Sequence, residues 1–326
     1  MKKILLFLIK CILALLPVIA ICMYILLCPF GYMDEEYPSF AYSKMVADGK
    51  IETKDETVLI LGDSRAMAAI APKEMGDNVY NLSCGGVTAI EMYYTLEQYI
   101  LNNGVPKEVY IMFSPFHYSY MDNYKTRTLY FRYLDIKDAF ALKNLGESFE
   151  AESLNEADRW DIIGMYLGLP SEYLPALTNS RFFNRYSANK ESFNNLVEER
   201  GHGLFGKSEG CDELNYETNY EEMKMDGEYR VLYLYFDKLL SLLEDNGVKT
   251  VVLQAPMNRA SFDCLHESYV EEYSHFIEQM SLKHKGIMFE KDIFAMDNRY
   301  FGDASHLNKK GALEYTKSLV EKYNGN

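Results

Sequence analysis

Residues 57–65 read Thr-Val-Leu-Ile-Leu-Gly-Asp-Ser-Arg. The four apolar residues 58–61 predict a buried strand, and Gly62 permits a sharp turn directly after it. Ligands of open α/β sheets bind at the carboxyl ends of strands, so Ser64 stands where a nucleophile would be needed. The same letters also occur in a plain strand-to-helix connection, in which Ser64 would only cap the helix.

Strands alternate with helices on both sides of this stretch. The predicted strands are 57–61, 78–82, 108–113, 250–254 and 287–289, and the predicted helices are 88–102, 229–245, 267–284 and 308–322. This alternation is typical of a parallel sheet with helices on both faces. Right-handed crossovers then place all strand carboxyl ends at one edge. We therefore predict an α/β domain.

The first 28 residues predict a membrane anchor. Lys2, Lys3 and Lys10 precede residues 11–28, an uncharged run of about the length that spans a bilayer. Acidic residues follow at 34–36, so the positive-inside rule predicts a single pass through the cell membrane with the N-terminus inside. A cleaved signal peptide is the alternative, although no small-x-small cleavage site is present.

The domain organisation follows from these two patterns. The long stretch from about 116 to 227 does not continue the alternation and has helical pieces, so we predict a mainly helical insertion that covers the sheet. The expected segments are a signal anchor at 1–28, a juxtamembrane linker at 29–56 with a short amphipathic segment around 40–45, and an extracytoplasmic domain at 57–326 that contains this insertion.

Charge and cysteine content restrict the partners. The chain carries a formal charge of −15, which becomes −18 without the three lysines of the anchor. This negative charge argues against nucleic acid as a partner and against tight binding to a bare polyanion. Cys84 reads as a small buried filler, whereas Cys211 and Cys264 could pair. No metal-ligand spacing is present, and we expect no cofactor.

A second group of polar residues lies near the C-terminus. A serine becomes nucleophilic when a histidine removes its proton, and a carboxylate must fix the histidine tautomer. Asp303-x-x-His306 supplies both groups, in a loop before the last helix. Asp292 and Asp297 are alternative carboxylates without this spacing, and Asp303 could instead only cap a turn.

Backbone donors and other polar residues complete the candidate site. The N–H groups of Ser64 and of Gly86 or Gly85 could stabilise an oxyanion, because both turns follow strand ends. Asn258, after the fourth strand, is either a third donor or a turn-former. His117 is an alternative base or a packed histidine. The position of Arg65 fits either a surface cation or a substrate-side cation.

Three blocks resemble the SGNH (GDSL-type) hydrolase superfamily. Gly-Asp-Ser at 62–64 is similar to its first block, Asn-x-x-x-x-Gly-x-Thr at 81–88 to its second, and Asp-x-x-His at 303–306 to its last. The resemblance covers residues 58–312 and implies a flavodoxin-like three-layer α/β/α sandwich. It also implies a serine nucleophile and an oxyanion-hole N–H from the glycine of the second block.

The third block departs from the family. Hydrolytic members carry Gly-x-Asn-Asp after the third strand, and that asparagine completes the oxyanion hole, whereas residues 113–117 read Phe-Ser-Pro-Phe-His. Ser114-Pro115 and Pro256-x-Asn258 resemble instead the D-alanyl-transfer protein of the teichoic-acid pathway, DltD. The layout of one anchor and one extracellular domain is shared with the alginate O-acetylation proteins.

The resemblance implies transfer of an acyl group to a cell-surface polymer, with a membrane-bound O-acyltransferase as partner. Because the domain is acidic, we expect O-acetylation of a neutral polysaccharide in preference to modification of a teichoic-acid-like polymer. An esterase or deacetylase of surface carbohydrate would use the same Ser64 chemistry with water as acceptor. A non-catalytic membrane-tethered accessory is the third hypothesis.

Overall fold

The computed structural model describes residues 2–323 and has a central parallel sheet covered by helices on both faces. Its strands are β1 Val58–Gly62, β2 Val79–Asn81, β3 Glu108–Phe113, β4 Lys249–Gln254, β5 Met257–Asn258, β6 Met288–Phe289 and β7 Ala295–Met296. The main sheet has the order β2-β1-β3-β4-β6 with every neighbouring pair parallel, and β5 pairs with β7 separately. The predicted α/β class with a parallel sheet is confirmed.

The helices agree with the predicted ends to within two residues wherever the alternation predicted them. They are α1 Lys2–Leu27, α2 Tyr37–Ala47, α3 Ser64–Ala69, α4 Pro72–Met75, α5 Ala89–Asn103, α6 Ile136–Phe149, α7 Glu152–Asn155, α8 Arg159–Leu167, α9 Pro170–Asn179, α10 Tyr186–Glu198, α11 Gly227–Asp245, α12 Arg259–Phe262, α13 Glu267–Lys283 and α14 Lys309–Tyr323. Local chemistry fixes some ends: Thr88 and Glu91 form a capping box at the start of α5.

The pairing of β1 with β3 fixes the edge at which the site lies. The register runs from Val58 opposite Glu108 to Gly62 opposite Met112. A Cβ at Gly62 would overlap the carbonyl group of Met112, so only glycine permits this approach. After β1 the chain continues to β2 on one side of the sheet, and after β3 it continues to β4 on the other side. The sheet therefore has its switch point here, where ligands of such sheets bind.

Alternating side chains of the strands fill a core on each face. Leu59 and Leu61 belong to the larger core, which includes residues of α2, α5 and α11. Ile60 belongs to the smaller core, which includes residues of α3 and α14. Each fully buried aliphatic side chain contributes about 1.5–3 kcal/mol, which explains why a continuous apolar run is needed in β1.

Residues 29–56, predicted to be a juxtamembrane linker, are part of the folded domain. Helix α2 packs against α5 and α10, and Phe40, Tyr42 and Val46 are buried in the larger core. The linker prediction is therefore wrong for α2. The short amphipathic segment predicted at 40–45 lies in α2, and the physical difference is that this helix buries most of its circumference and not one face only.

The insertion is also bound firmly to the sheet. Its last part returns to the carboxyl edge, where the buried side chains of Arg65 and Glu217 form an ion pair at 2.5 Å. Glu217 also accepts a hydrogen bond from the backbone N–H of Phe116, at 3.0 Å. Arg65 is thus neither a surface cation nor a substrate-side cation, because it is 3% exposed and paired inside the protein.

The Glu217→Ala variant should lower the free energy of unfolding by about 3–5 kcal/mol, because it leaves the guanidinium of Arg65 buried without its partner. Urea unfolding of the detergent-solubilised full chain, followed by circular dichroism, measures this change. Glu222→Ala is the matched control, since Glu222 is exposed and its removal should change stability by less than about 0.5 kcal/mol. Equal unfolding midpoints for the two variants would contradict the proposed anchoring role.

Candidate active site

Ser64 is the first residue of α3, directly after the turn at Gly62. Asp63 caps this helix by accepting the backbone N–H of Arg65, at 2.9 Å. The Oγ of Ser64 lies 2.8 Å from Nε2 of His306, although the two residues are 242 positions apart in the chain. The predicted convergence of these two loops is therefore present in the structure.

The predicted Asp303–His306 pair is assembled as the spacing suggested. Nδ1 of His306 lies 2.9 Å from each carboxylate oxygen of Asp303. The same carboxylate accepts the backbone N–H groups of Ser305 and His306, both at 2.8 Å, which folds the loop back on itself. Asp292 and Asp297 are exposed instead, and Asp297 only caps a short turn.

This contact also decides the tautomer of the imidazole. An ionised carboxylate can only accept, so Nδ1 of neutral His306 must carry the proton and Nε2 must present its lone pair to Ser64. Burial opposes ionisation of Asp303, but its hydrogen bond and Coulomb attraction to His306 outweigh burial and lower the pKa of the carboxyl. The chain Ser64–His306–Asp303 can therefore withdraw a proton from a serine hydroxyl.

Phe205, from the insertion, covers the histidine. Its ring is stacked on the imidazole of His306 with centroids 4.5 Å apart and planes inclined by 24°. The loop that carries Phe205 is held by close packing of Gly206 against Gly302, where a Cβ on either residue would overlap the other backbone. This contact restricts the rotation of the imidazole. A proton relay requires such a fixed orientation of the ring.

A second histidine contacts Asp63, the residue before Ser64, and is not positioned as a base for Ser64. Nδ1 of His117 is 2.6 Å from Oδ2 of Asp63, and both side chains are buried. The same oxygen accepts the N–H and the hydroxyl of Ser114, at 2.8 and 2.6 Å. Burial opposes ionisation of Asp63, but these bonds and the charge of nearby Arg65 outweigh it and lower the pKa of the carboxyl.

The turn after β2 is joined to the end of β1, because the N–H of Cys84 donates to the carbonyl oxygen of Gly62 at 3.2 Å. Gly86 adopts the left-handed conformation (φ +70°), and a Cβ there would lie 2.5 Å from Nδ2 of Asn123. Within residues 2–323, the N–H groups of Gly85 and Gly86 donate to no protein acceptor. Two free backbone donors and one side-chain amide therefore lie at this turn, consistent with the predicted oxyanion-binding position.

Two charged residues cover the glycine turn from outside. Nη1 of Arg127 donates to the carbonyl oxygen of Gly85 at 2.7 Å, and its Nη2 lies 3.5 Å from Oε1 of Glu36. A Cβ at Gly85 would lie 2.5 Å from Oε2 of Glu36. Burial raises the pKa of the Glu36 carboxyl, and Arg127 only partly offsets this effect. The rim of the site thus has a guanidinium and a carboxyl group side by side.

Asn258, predicted as a possible oxyanion donor, instead bonds to backbone groups of neighbouring loops. Its side chain is fully buried, and its amide donates to the carbonyl oxygens of Glu213 and Ala304, at 2.9 and 3.2 Å. Its side-chain oxygen accepts the N–H of Ser261 at the start of α12. Because no donor remains for a substrate, Asn258 supports the Asp303–His306 loop from below and does not contact the reacting atoms.

The residues that the sequence did not reveal come from outside the strand–helix alternation. Glu36 precedes α2, whereas Asn123, Arg127 and Phe205 lie in the insertion. Their only sequence signal is polar or aromatic chemistry in loops, which is too common to identify a site. The six cysteines, including Cys211 and Cys264, are free, and Cys84 is buried as predicted. Within residues 2–323 no group of His, Cys, Asp or Glu is arranged to hold a metal.

No protein-family model matches this chain, and no curated protein sequence matches it. The description of the site therefore depends on its own geometry.

The lowered pKa of Asp63 predicts a specific dependence of stability on pH. A carboxyl whose folded-state pKa lies below its unfolded value of about 3.9 stabilises the fold above that value and loses this contribution as the pH falls. We expect Asp63→Asn to cost about 3 kcal/mol at pH 7 and to reduce the loss of stability between about pH 5 and pH 3. Urea unfolding across this range measures both effects.

Asp212→Asn is the control for this experiment, since the side chain of Asp212 is exposed. It should show the same slope of stability against pH as the original protein. Equal slopes for Asp63→Asn and the original protein would show that the Asp63 carboxylate does not stabilise the fold.

Proposed function

We propose that this chain is a membrane-anchored, serine-dependent acyl-transferring enzyme of the SGNH type. The observation that carries the proposal is the hydrogen-bonded chain from Ser64 through His306 to Asp303. The sheet order β2-β1-β3-β4-β6 supports it, since this is the order of flavodoxin-like sandwiches. The apolar helix α1 is long enough to cross a membrane, which supports an anchor. The proposed orientation with the N-terminus inside depends on the lysines at its start and the acidic residues 34–36 after it.

The reaction has two half-reactions. In the first, Oγ of Ser64 attacks the carbonyl carbon of an acyl ester while Nε2 of His306 takes the serine proton. The tetrahedral intermediate then expels the alcohol of the donor, which receives that proton from His306, and the acyl group remains on Ser64 as an ester. In the second, a hydroxyl group of the acceptor attacks this ester, His306 takes its proton, and Oγ of Ser64 leaves and recovers it.

Asn123 fills the role of the asparagine that the third block lacks. The developing oxyanion needs donors that are fixed before the reaction begins. The backbone N–H groups of Ser64 and Gly86 provide two, and Nδ2 of Asn123 lies against the Gly86 turn. One hydrogen of this amide is donated to Oδ1 of Asp122 at 2.6 Å, which leaves the second for the oxyanion. In this proposal the insertion supplies the third donor from position 123, although the end of β3 supplies none.

A neutral polysaccharide hydroxyl is the proposed acceptor, and acetyl is the proposed acyl group. The charge of −18 beyond the anchor opposes a polyanionic acceptor such as teichoic acid. A membrane-bound O-acyltransferase would supply the acyl group from the membrane side. Water is the second candidate acceptor, because the side chains of His306 and Asp303 remain 17% and 38% exposed, so the acyl ester is open to hydrolysis.

Incubation with p-nitrophenyl acetate tests the nucleophile. The detergent-solubilised full chain should release nitrophenol and carry an acetyl group on Ser64, detected by mass spectrometry of its peptides. Ser64→Ala should lower turnover by about 10⁴-fold or more. Ser208→Ala is the matched control, because Ser208 is exposed and its hydroxyl group makes no hydrogen bond within residues 2–323. If the original protein shows no turnover and carries no acetyl adduct, the proposal is refuted.

Addition of a neutral oligosaccharide to the same reaction distinguishes the two acceptors. Transfer of acetyl to the sugar supports the acyltransferase, whereas hydrolysis without transfer supports the esterase.

Asn123→Ala should lower kcat by about 10²-fold with little change in KM, because an oxyanion donor acts mainly in the transition state. Asn123→Asp should be slower still, since it places a negative charge beside the oxyanion. Steady-state kinetics with the same ester measure both variants. Asn194→Ala, on the exposed face of α10, is the control and should behave as the original protein. An unchanged kcat in Asn123→Ala would exclude Asn123 as a donor.

A further inference from the structure

The apolar helix α1 does not leave the domain as a free tether. A Cβ at Gly168 would lie 2.9 Å from Cγ of Leu26 and 3.1 Å from the carbonyl oxygen of Cys22, so the end of α8 packs on the last turns of α1. The ring of Tyr24 contacts Phe183, with centroids 5.1 Å apart. These contacts fix the direction in which α1 leaves the domain.

Hydrogen bonds reinforce this packing. The hydroxyl group of Tyr24 donates to the carbonyl oxygen of Phe182. The carbonyl oxygen of Ile25 accepts bonds from Arg132 at 3.2 Å and from Tyr32 at 2.6 Å. Because Arg132 and Phe182 belong to the insertion, α1 and the insertion form one packed unit.

Exposed apolar side chains surround the point where α1 leaves the domain. They lie at the end of α8, on α9, and in the turn that leads into α10. Helix α9 and the end of α8 contact α1 directly. We call them the interface patch, and its members are Leu167, Leu169, Leu174, Phe182, Phe183 and Tyr186. Phe183 is 65% exposed and Leu174 is 54% exposed. Such a group of large apolar side chains is unusual on a surface that faces only water.

Continuity with α1 indicates what covers the patch. Along most of its length α1 exposes apolar side chains on all sides, as a bilayer-spanning helix does. If α1 crosses the membrane, its end at Leu27 lies near the lipid–water boundary. Phe183 touches Tyr24, three residues before that end, so the patch lies at the depth that aromatic and aliphatic interface residues occupy. Arg181 is exposed in the same turn, where it can meet lipid phosphates, whereas Arg185 is paired with Glu35 at 3.4 Å.

We propose that the interface patch is inserted in the headgroup–acyl boundary of a lipid bilayer and forms a second membrane attachment beside α1. This proposal depends on α1 as the membrane span and does not depend on acyl-transfer chemistry. A lipid surface is the proposed occupant, and a polytopic protein partner is the alternative that the experiment excludes or favours.

The attachment turns the carboxyl edge of the sheet toward the membrane. Glu36 follows the end of α1 by nine residues and lies over Gly85 at that edge. Helix α2 then runs away from it, to the opposite edge, where the carbonyl oxygen of Ala47 accepts bonds from Asn102 and Asn103 at the end of α5. The Ser64 cleft is therefore on the membrane side, and an acyl donor or acceptor held in the bilayer can reach it.

A single tryptophan placed in the patch tests the proposal. Trp160 is the only tryptophan of the chain, so Trp160→Phe combined with Phe183→Trp leaves one fluorescent probe in the patch. The full chain is reconstituted in vesicles of phosphatidylcholine and phosphatidylglycerol. We expect blue-shifted emission, loss of most of the fluorescence when the lipids carry brominated acyl chains, and little quenching by acrylamide in the water.

Trp160→Phe combined with Leu101→Trp is the matched control. Leu101 is 76% exposed at the end of α5, on the edge away from α1, so its probe should be quenched by acrylamide and unaffected by bromine. If the probe at position 183 behaves like the probe at position 101, the patch faces water in a pure lipid membrane. That result overturns the proposal and favours a protein partner.

A second variant separates the patch from α1 itself. Leu167→Glu combined with Leu174→Glu changes only exposed positions and should weaken the bromine quenching of the probe at position 183, while the chain remains bound to vesicles through α1. Unchanged quenching in this variant would also overturn the proposal. The same measurements in a Ser64→Ala background should give identical results, so a failure of the proposed chemistry and a failure of the membrane contact are distinguishable.

Discussion

The buried carboxylate of Asp63 joins the ends of β1 and β3, and the geometry of the site depends on it. One oxygen accepts the N–H of Arg65 and starts α3, while the other accepts two bonds from Ser114 and one from His117. Burial of a charged group away from water raises the free energy of the fold unless hydrogen bonds compensate for the lost hydration. The network therefore has one acceptable arrangement, and in that arrangement Ser64 points from the edge of the sheet toward His306.

The insertion is a structural part of the site and not only a cover. Glu217 neutralises Arg65, the residue after Ser64, and Phe205 restricts the imidazole of His306. Asn123 and Arg127 approach the glycine turn from the side. Because the same insertion packs on the end of α1, the position of this apolar helix and the shape of the cleft are mechanically connected. A change at either place can be transmitted through packed side chains.

The proposed chemistry depends on competition between two acceptors for one acyl ester. In this proposal His306 accepts a proton from a sugar hydroxyl or from water equally well. The choice between transfer and hydrolysis is therefore decided by which acceptor can reach the acyl ester. Phe205 partly covers the cleft and Glu36 and Arg127 border it, so these side chains restrict that access. Placement of the site, in this view, determines whether transfer or hydrolysis dominates.

The sequence by itself determined the parallel sheet, the apolar helix at the N-terminus, and the meeting of Ser64 with Asp303 and His306. Each follows from local signals: apolar runs of strand length, a glycine turn, and a three-residue spacing that lets a carboxylate fold back on an imidazole. Only the tertiary structure decided the roles of Arg65, His117 and Asn258, and the membership of α2 in the domain. These depend on burial and on partners far away in the chain, such as Glu217 for Arg65, which local sequence patterns do not record.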